Sequence, residues 1–304
     1  MTQLPDQSTD LAIDKDSPFR LENTSAYVQW RASKKAHIAP NLDDLIVNIA
    51  DPYQLTADEK AAVVERCAQF NMAIYQLQDL ADQKKSLVHA LGKQFEMVNL
   101  DANLRSDEDS VSSLEVREQV GNRYIPYTNK ALSWHTDGYY NRLDKQIFGI
   151  IMHCVRPAAE GGINRLMDID AIYIALRDEN PVYIEAMMHP EAMTIPANIE
   201  GGVVIREAQT GPVFMVKADG RLHMRYSARK RNIIWRDTPE TAEAVAMIGQ
   251  LLADDEKVAK VALSAGQGII CNNVLHNRTG FEDSEQRKRL MYRARYYDDV
   301  TLSM

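Results

Sequence analysis

Apolar residues recur at helical spacing from residue 57 to 70, behind the tetrad Thr56-Ala57-Asp58-Glu59. A threonine followed three positions later by glutamate is a capping-box pattern, so a helix is predicted through Phe70. Residues 72–77 read as a short strand, and a second helix is predicted over residues 83–95. Residues 1–25 are polar and carry no period, which predicts a flexible N-terminal arm ahead of one domain over residues 26–304. From Tyr124 onward strand patterns dominate, over residues 146–154, 213–216, 222–226, 268–273 and 290–297. Ala218-Asp219-Gly220 reads as the turn of a hairpin between two of these runs. Helices interrupt the strands. One starts at Asp168 or Asp170 and runs to about Asp178; the other has Thr238 as N-cap, Pro239 in the first turn and its end near Ala253. Many short strands with inserted helices predict a mainly β, α+β fold: a sandwich or barrel core decorated by helices. Residues 105–118, polar and rich in Ser, Asp and Glu, read either as a solvated loop or as a lid over a site.

Composition narrows the function classes. A chain of 304 residues buries a full core. The net charge of -8 argues against a general nucleic-acid binder, and leaves residues 221–236 as a local basic patch. No apolar run is long enough to span a bilayer and the N-terminus has no signal-peptide core, so no membrane is expected and the cytoplasm is the default location. Cys67, Cys154 and Cys271 are odd in number, scattered and set among apolar residues, which reads as core packing without a disulfide framework or CxxC zinc site. The sequence leaves open whether the chain forms a homo-oligomer.

Candidate chemistry begins at His135-Thr136-Asp137. Strand side chains alternate with period two, so His135 and Asp137 would point one way and Thr136 the other. A third ligand must come from elsewhere, and His276 is the best candidate, because it follows the apolar run 268–271 and Asn272-Asn273 like a histidine at a strand exit. Two imidazoles and a carboxylate with open positions left over form the facial triad of non-haem iron oxygenases. The histidines at 37, 89, 153, 189 and 223 lack an acidic neighbour at strand spacing and read as surface or satisfied core residues. Beyond His276, a strand over 289–297 would place Arg289, Met291, Arg293 and Arg295 on one face. Such a face is either solvated or turned into a polar cavity that receives a carboxylate.

These elements in order, with Ser133-Trp134 before the HxD, Gly161-Gly162 after it and Lys288-Arg289-Leu290-Met291-Tyr292-Arg293-Ala294 near the end, resemble the taurine dioxygenase (TauD/TfdA) family. The resemblance covers roughly residues 120–298. It implies a double-stranded β-helix (jelly-roll) core flanked by α-helices, and an enzyme that uses iron(II), O2 and 2-oxoglutarate as co-substrate. His135, Asp137 and His276 would ligate the metal, and Arg289 would pair with the distal carboxylate of 2-oxoglutarate. The family often has a threonine after the Gly-Gly pair; Ile163-Asn164 stands there in this chain, and the Asn164 amide is the substitute donor. Arg293 matches a position that in some members contacts an anionic substrate group. Arg295 has no such match.

The implied reaction releases succinate and CO2 and hydroxylates a C–H bond of a small, anionic metabolite, with no protein side chain assigned as the catalyst. Asp137 favours hydroxylation over halogenation, since related halogenating enzymes lack that carboxylate; desaturation and cyclisation stay open. Trp134, Tyr139 and Tyr140 beside the ligands line a pocket, cage a quaternary ammonium or simply pack in the core. Arg229-Lys230-Arg231 reads as a solvated turn or an anion funnel. Two other classes compete: a non-catalytic metal-binding jelly-roll sensor, and a jelly-roll hydrolase or isomerase that would have no use for Arg289.

Overall fold

The Thr56 capping box forms: its hydroxyl accepts from the Glu59 N–H and the Glu59 carboxylate accepts from the Thr56 N–H. The helix it opens, Ala57–Phe70, ends on Asn71 in a left-handed conformation (φ 58°), and the chain turns straight into the strand Met72–Leu77. These coordinates are a computed structural model and describe residues 13–34, 41–81, 83–102, 110–117, 125–229 and 231–302.

Two sheets position the site. The larger has six strands in the order Ile46–Ile49, Met72–Leu77, Gln267–Cys271, Gly149–Arg156, Leu290–Tyr296, Ser112–Leu114, antiparallel except for the first pair. The smaller has four antiparallel strands, Ala259–Val261, Asn164–Met167, Leu275–Arg278 and Leu132–His135. Alternation along the large sheet divides its side chains between two cores. Ile74, Ile150, Ile269 and Met291 meet Leu166, Ala259 and Val261 of the small sheet. Their neighbours Tyr75, Ile151, Ile270 and Ala294 turn the other way, onto Val63 and Cys67 of the first long helix and Leu87 and Leu91 of Lys85–Gln94. A third core joins the helices Ile169–Glu179, Pro181–Met188 and Pro239–Ala253 to short strands that include the hairpin Phe214–Val216 with Leu222–Met224. The fold is mixed α+β.

Several expectations shift in detail. The helix expected over 83–95 spans Lys85–Gln94, and Lys84 at its N-cap gives no side-chain cap. Of the arm expected over 1–25, residues 1–12 lie outside the described residues. The remainder is bound: Phe19 packs edge-on to Trp30 and Tyr173, and the Arg177 guanidinium donates to the carbonyls of Pro18, Arg20 and Leu21. Of the loop or lid over 105–118, residues 105–109 and 118 lie outside the described residues, while Ser112–Leu114 is an edge strand paired with Met291–Arg293. The basic stretch 221–236 is not a surface patch throughout. Arg225 is fully buried, and Arg221 pairs with Asp219 and Asp299. All three cysteines are buried and free. Among the described residues no helix is long and apolar enough to cross a membrane.

Candidate metal centre and its arginine pocket

The strand Leu132–His135 ends at its histidine, and the residue opposite in register is His276. The two imidazole centroids stand 4.3 Å apart with the rings tilted by 49°. Asp137 follows in a turn made possible by Gly138 at φ 70°, so the HxD is only partly strand. The partition of side chains is nonetheless the one alternation predicts. Thr136 is turned away and fully buried, its N–H donating to the Tyr226 carbonyl and its hydroxyl accepting from the Tyr226 N–H. His276 does not sit at the exit of the strand expected over 268–273. That strand, Gln267–Cys271, stops; Asn273 takes a left-handed φ of 50°; and the chain re-enters the other sheet as Leu275–Arg278. The corner at Asn272-Asn273 is what carries the histidine from one sheet to the other.

One ligand atom from each of His135, Asp137 and His276 lies within 4.8 Å of the others, a cluster of donors compact enough for a single ion to draw together. The protein fixes their protonation. Nδ1 of His135 lies 2.8 Å from the Ser133 carbonyl, and Nδ1 of His276 lies 2.9 Å from the Val274 carbonyl. A carbonyl only accepts, so Nδ1 carries a proton in both rings, which leaves Nε2 as the nitrogen of each that a cation could use. Burial, reinforced by the neighbouring His135, holds the His276 imidazole down to about 4, neutral at physiological pH. Burial pushes the Asp137 carboxyl up, but the Arg293 guanidinium, the adjacent His135 ring and Arg295 outweigh it and hold the group well below the usual carboxylate range. Arg293 Nη1 stands 3.2 Å from Oδ1 and 3.1 Å from Oδ2. Its alignment to Oδ2 is too poor for a hydrogen bond, so that buried oxygen has no hydrogen-bond donor among the described residues. Two imidazoles anchored through Nδ1 and a carboxylate with a buried oxygen that accepts no hydrogen bond suit a divalent transition metal.

Asn273 holds the carboxylate in place. Its side-chain oxygen accepts from the Asp137 N–H (2.8 Å), and its amide donates to the carbonyls of Asp137 (2.9 Å) and Ile147 (2.6 Å). The residue is fully buried. The available sequence signal was an Asn-Asn pair between an apolar strand and a candidate ligand.

The arginine strand borders a pocket between the sheets, lined by Ile150, Met152, Leu166 and Val274 with the polar groups of Asn164, His276, Arg278, Arg289 and Arg293. The solvated alternative for this face fails, since Arg289 and Arg295 are each only 4% exposed. Arg289 lies just before the strand Leu290–Tyr296, with its backbone N–H donating to Asp283. Its guanidinium stacks 5.2 Å from the Phe281 ring and has no carboxylate in ion-pair range among the described residues. Asn164, buried, lines the same pocket. The glycine pair explains the tight approach. A Cβ on Gly161 (φ 74°) would stand 2.4 Å from the Gly280 carbonyl, and Gly162 (φ 69°) passes beside Phe281 and Arg289. Arg293 faces the metal ligands, whereas Arg295 pairs with Asp101 and donates to the Tyr140 hydroxyl.

The aromatic residues beside the ligands divide. Tyr139 is edge-on to His135 and to Tyr140. The cation over Tyr140 is the chain's own Arg206, at 5.8 Å, and Arg165 lies over the buried Trp134. Buried Arg225, read at first as part of a basic run, donates to the carbonyls of Tyr139, Met193, Gly211, Pro212 and Gln209 and so anchors this wall. Arg229 and Arg231 are exposed, and Lys230 lies outside the described residues, as does His37.

A family model described as taurine catabolism dioxygenase TauD, TfdA family matches residues 34–295. A uridine-5'-phosphate dioxygenase from a Streptomyces species is 30% identical over 197 residues, 62% of this chain and 69% of that protein. Among solved structures, an asparagine oxygenase in complex with Fe(II), 2S,3S-3-hydroxyasparagine and succinate superposes with a TM-score of 0.60 at 13% identity, covering 93% of this chain and 86% of its own. The non-haem iron oxygenase OrfP, in complex with Fe, succinate and (3S)-hydroxy-L-Arg, gives a TM-score of 0.62 at 13% identity, covering 82% of this chain and 83% of its own.

Proposed function

Because this chain belongs to the taurine catabolism dioxygenase TauD, TfdA family, we propose a ligand set, a co-substrate site and a substrate class for it. The enzyme is an iron(II)- and 2-oxoglutarate-dependent dioxygenase. His135, Asp137 and His276 hold the iron; the fit rests on two Nδ1-protonated imidazoles and a buried carboxylate oxygen without a hydrogen-bond donor. Arg289 pairs with the distal carboxylate of 2-oxoglutarate, and Asn164 donates to it. The two sheets that enclose this pocket are read as the two faces of a double-stranded β-helix.

Bound iron with 2-oxoglutarate supplies the oxidising power for a C–H bond, with succinate and CO2 as co-products. The chain's own residues do the rest. Ser133 and Val274 carbonyls fix the imidazoles. Asn273 fixes the aspartate. Apolar Ile150, Met152 and Leu166 line the pocket and keep water out.

The substrate is a small anion that is hydroxylated, and phosphate-bearing metabolites are the first class to test. Two observations support this: Arg293 lies at the metal ligands, and the Streptomyces relative is named for a nucleoside monophosphate. The observation that carries the reading as a whole is the convergence of the three candidate ligand side chains beside a pocket whose Arg289 has no carboxylate in ion-pair range among the described residues. Anaerobic iron(II) plus 2-oxoglutarate should produce a visible charge-transfer band that Asp137→Ala abolishes. A succinate-release screen over uridine-5'-phosphate, other phosphomonoesters, amino acids, sulfonates and betaines then identifies the substrate. Absence of the band in wild-type protein overturns the reading.

A further inference from the structure

Arg278 was not among the expected site residues, yet it is built like one. It lies two positions after His276 on the same strand, so alternation puts both side chains on the face toward the pocket, and both line it. It is 5% exposed. One end of its guanidinium is anchored, Nη2 donating to the Thr128 (2.9 Å) and Lys130 (2.5 Å) carbonyls, while the buried Nε has no hydrogen-bond partner among the described residues. Its guanidinium carbon stands 4.8 Å from the Phe281 ring centroid, and Arg289 stands 5.2 Å from the same ring. Two buried guanidinium groups therefore share one phenyl ring, with no carboxylate in ion-pair range of either among the described residues.

Two like charges held together out of water are costly unless an anion joins them. If the purpose were only to tie strand to loop, a neutral donor would serve without that cost. We propose that Arg278 is a second specificity-determining arginine of the co-substrate pocket, selecting a dianionic 2-oxo acid over a monoanionic one. The inference rests on the assignment of Arg289 to the distal carboxylate. Arg278 acts through its field and its free Nε–H, with the Phe281 ring in contact with both guanidinium groups. The Arg278 anchors on Thr128 and Lys130 set where that field is centred.

The test is equilibrium binding to anaerobic, iron(II)-loaded protein of 2-oxoglutarate and of 2-oxovalerate, which has the same carbon chain without the distal carboxylate. In wild type, 2-oxoglutarate should bind far more tightly. Arg278→Gln should weaken 2-oxoglutarate roughly 10- to 100-fold, leave 2-oxovalerate within about threefold, and leave iron affinity unchanged, as expected for losing one charge-assisted contact. Arg278→Lys, which keeps the charge and loses the fork, should retain most of the preference for the dianion. A structural role alone would lower thermal stability and iron affinity and would weaken both 2-oxo acids alike. If Arg278→Gln keeps the wild-type preference, the inference is overturned. If Arg278→Gln does not fold, Arg278→Lys decides: preference kept supports the inference, and preference lost with unchanged iron affinity overturns it. Failure of wild type to bind 2-oxoglutarate at all would instead remove the assignment on which the inference rests.

Discussion

Replacing Asn273 by alanine should loosen the carboxylate arm of the metal centre from behind, without touching a ligand. The side chain makes three hydrogen bonds to backbone groups, at 2.8, 2.9 and 2.6 Å, two of them to Asp137 itself. It is fully buried, so no water replaces it readily. Net hydrogen-bond contributions of about 1 kcal/mol each, with a further 1–3 kcal/mol where a buried donor is stranded, put the loss at about 4–6 kcal/mol. Alanine at φ 50° adds roughly 1 kcal/mol of left-handed strain. Asn273→Gly removes the same hydrogen bonds without that strain, so it should be about 1 kcal/mol more stable than the alanine variant. Urea denaturation of both metal-free variants measures these differences, provided the m-value holds. Chelator competition should show iron(II) affinity reduced about 10- to 100-fold in each, the usual effect of losing a group that orients a ligand. An alanine variant within 1 kcal/mol of wild type and with unaltered iron affinity would refute the reasoning. So would a glycine variant less stable than alanine, because the left-handed conformation would then not be a source of strain.

Four further outcomes follow from the same coordinates. Arg289→Ala should weaken 2-oxoglutarate binding by roughly 10- to 100-fold, whereas Arg293→Ala should spare 2-oxoglutarate and weaken substrate-dependent succinate release; equal loss of 2-oxoglutarate in the two anaerobic, iron-loaded variants would sink this division of labour. His153 is buried as a neutral imidazole whose pKa burial holds down to about 4, against 6.5 when unfolded. The unfolded state therefore binds the extra proton first, so its contribution is complete above pH 6.5 and falls by about 3 kcal/mol as pH drops toward 4. His153→Gln should flatten that part of the stability–pH curve, and an unchanged slope would contradict it. Gly161→Ala sets a Cβ 2.4 Å from the Gly280 carbonyl at a positive φ, and thermal melts should show a loss of at least about 2 kcal/mol. Arg225→Met strands five carbonyls around Tyr139 and should cost about 3–5 kcal/mol by urea denaturation while leaving iron affinity within a few fold.

Elements with strong local signals were legible in the sequence. The capping box, the strand Met72–Leu77 and the Thr238-Pro239 helix start lie where the residues predict, because local hydrogen bonds and periodicity alone specify them. The spacing of the arginine strand also survives, with Met291, Arg293 and Arg295 on one face. What the sequence could not show is which face is buried. A row of arginines looks solvated until its partners Asp101, Tyr140 and Asp137 arrive from distant segments. The same holds for Arg225 and Asn273. Both are buried polar residues explained only by the backbone carbonyl and N–H groups that distant segments bring to them. The placement of His276 failed in detail for a related reason. A strand exit and a corner between two sheets look alike in sequence, and only the left-handed Asn273 distinguishes them.

The charges around Asp137 tie the metal to the substrate. The pocket holds three guanidinium groups, Arg278, Arg289 and Arg293, and one carboxylate in contact with them, Asp137 on Arg293, which leaves a formal +2. A 2-oxoglutarate dianion offsets that surplus. A divalent cation bound through Asp137 Oδ2, the oxygen that accepts no hydrogen bond, would restore it and would compete with Arg293 for the charge of that carboxylate. In a region of low dielectric such a charge attracts an anion strongly over a few ångströms. The proposed loaded site would therefore favour a substrate with net negative charge, which a phosphomonoester has and a betaine does not. On this reading Arg293 would be a metal-dependent anion receptor: paired with Asp137 in the metal-free site, and with more of its charge available to substrate once a metal binds Asp137. Anionic substrate should accordingly bind iron-loaded protein more tightly than metal-free protein, and Arg293→Ala should erase most of that difference. Equal substrate affinity with and without metal in the wild type would break the link between Arg293, Asp137 and substrate charge.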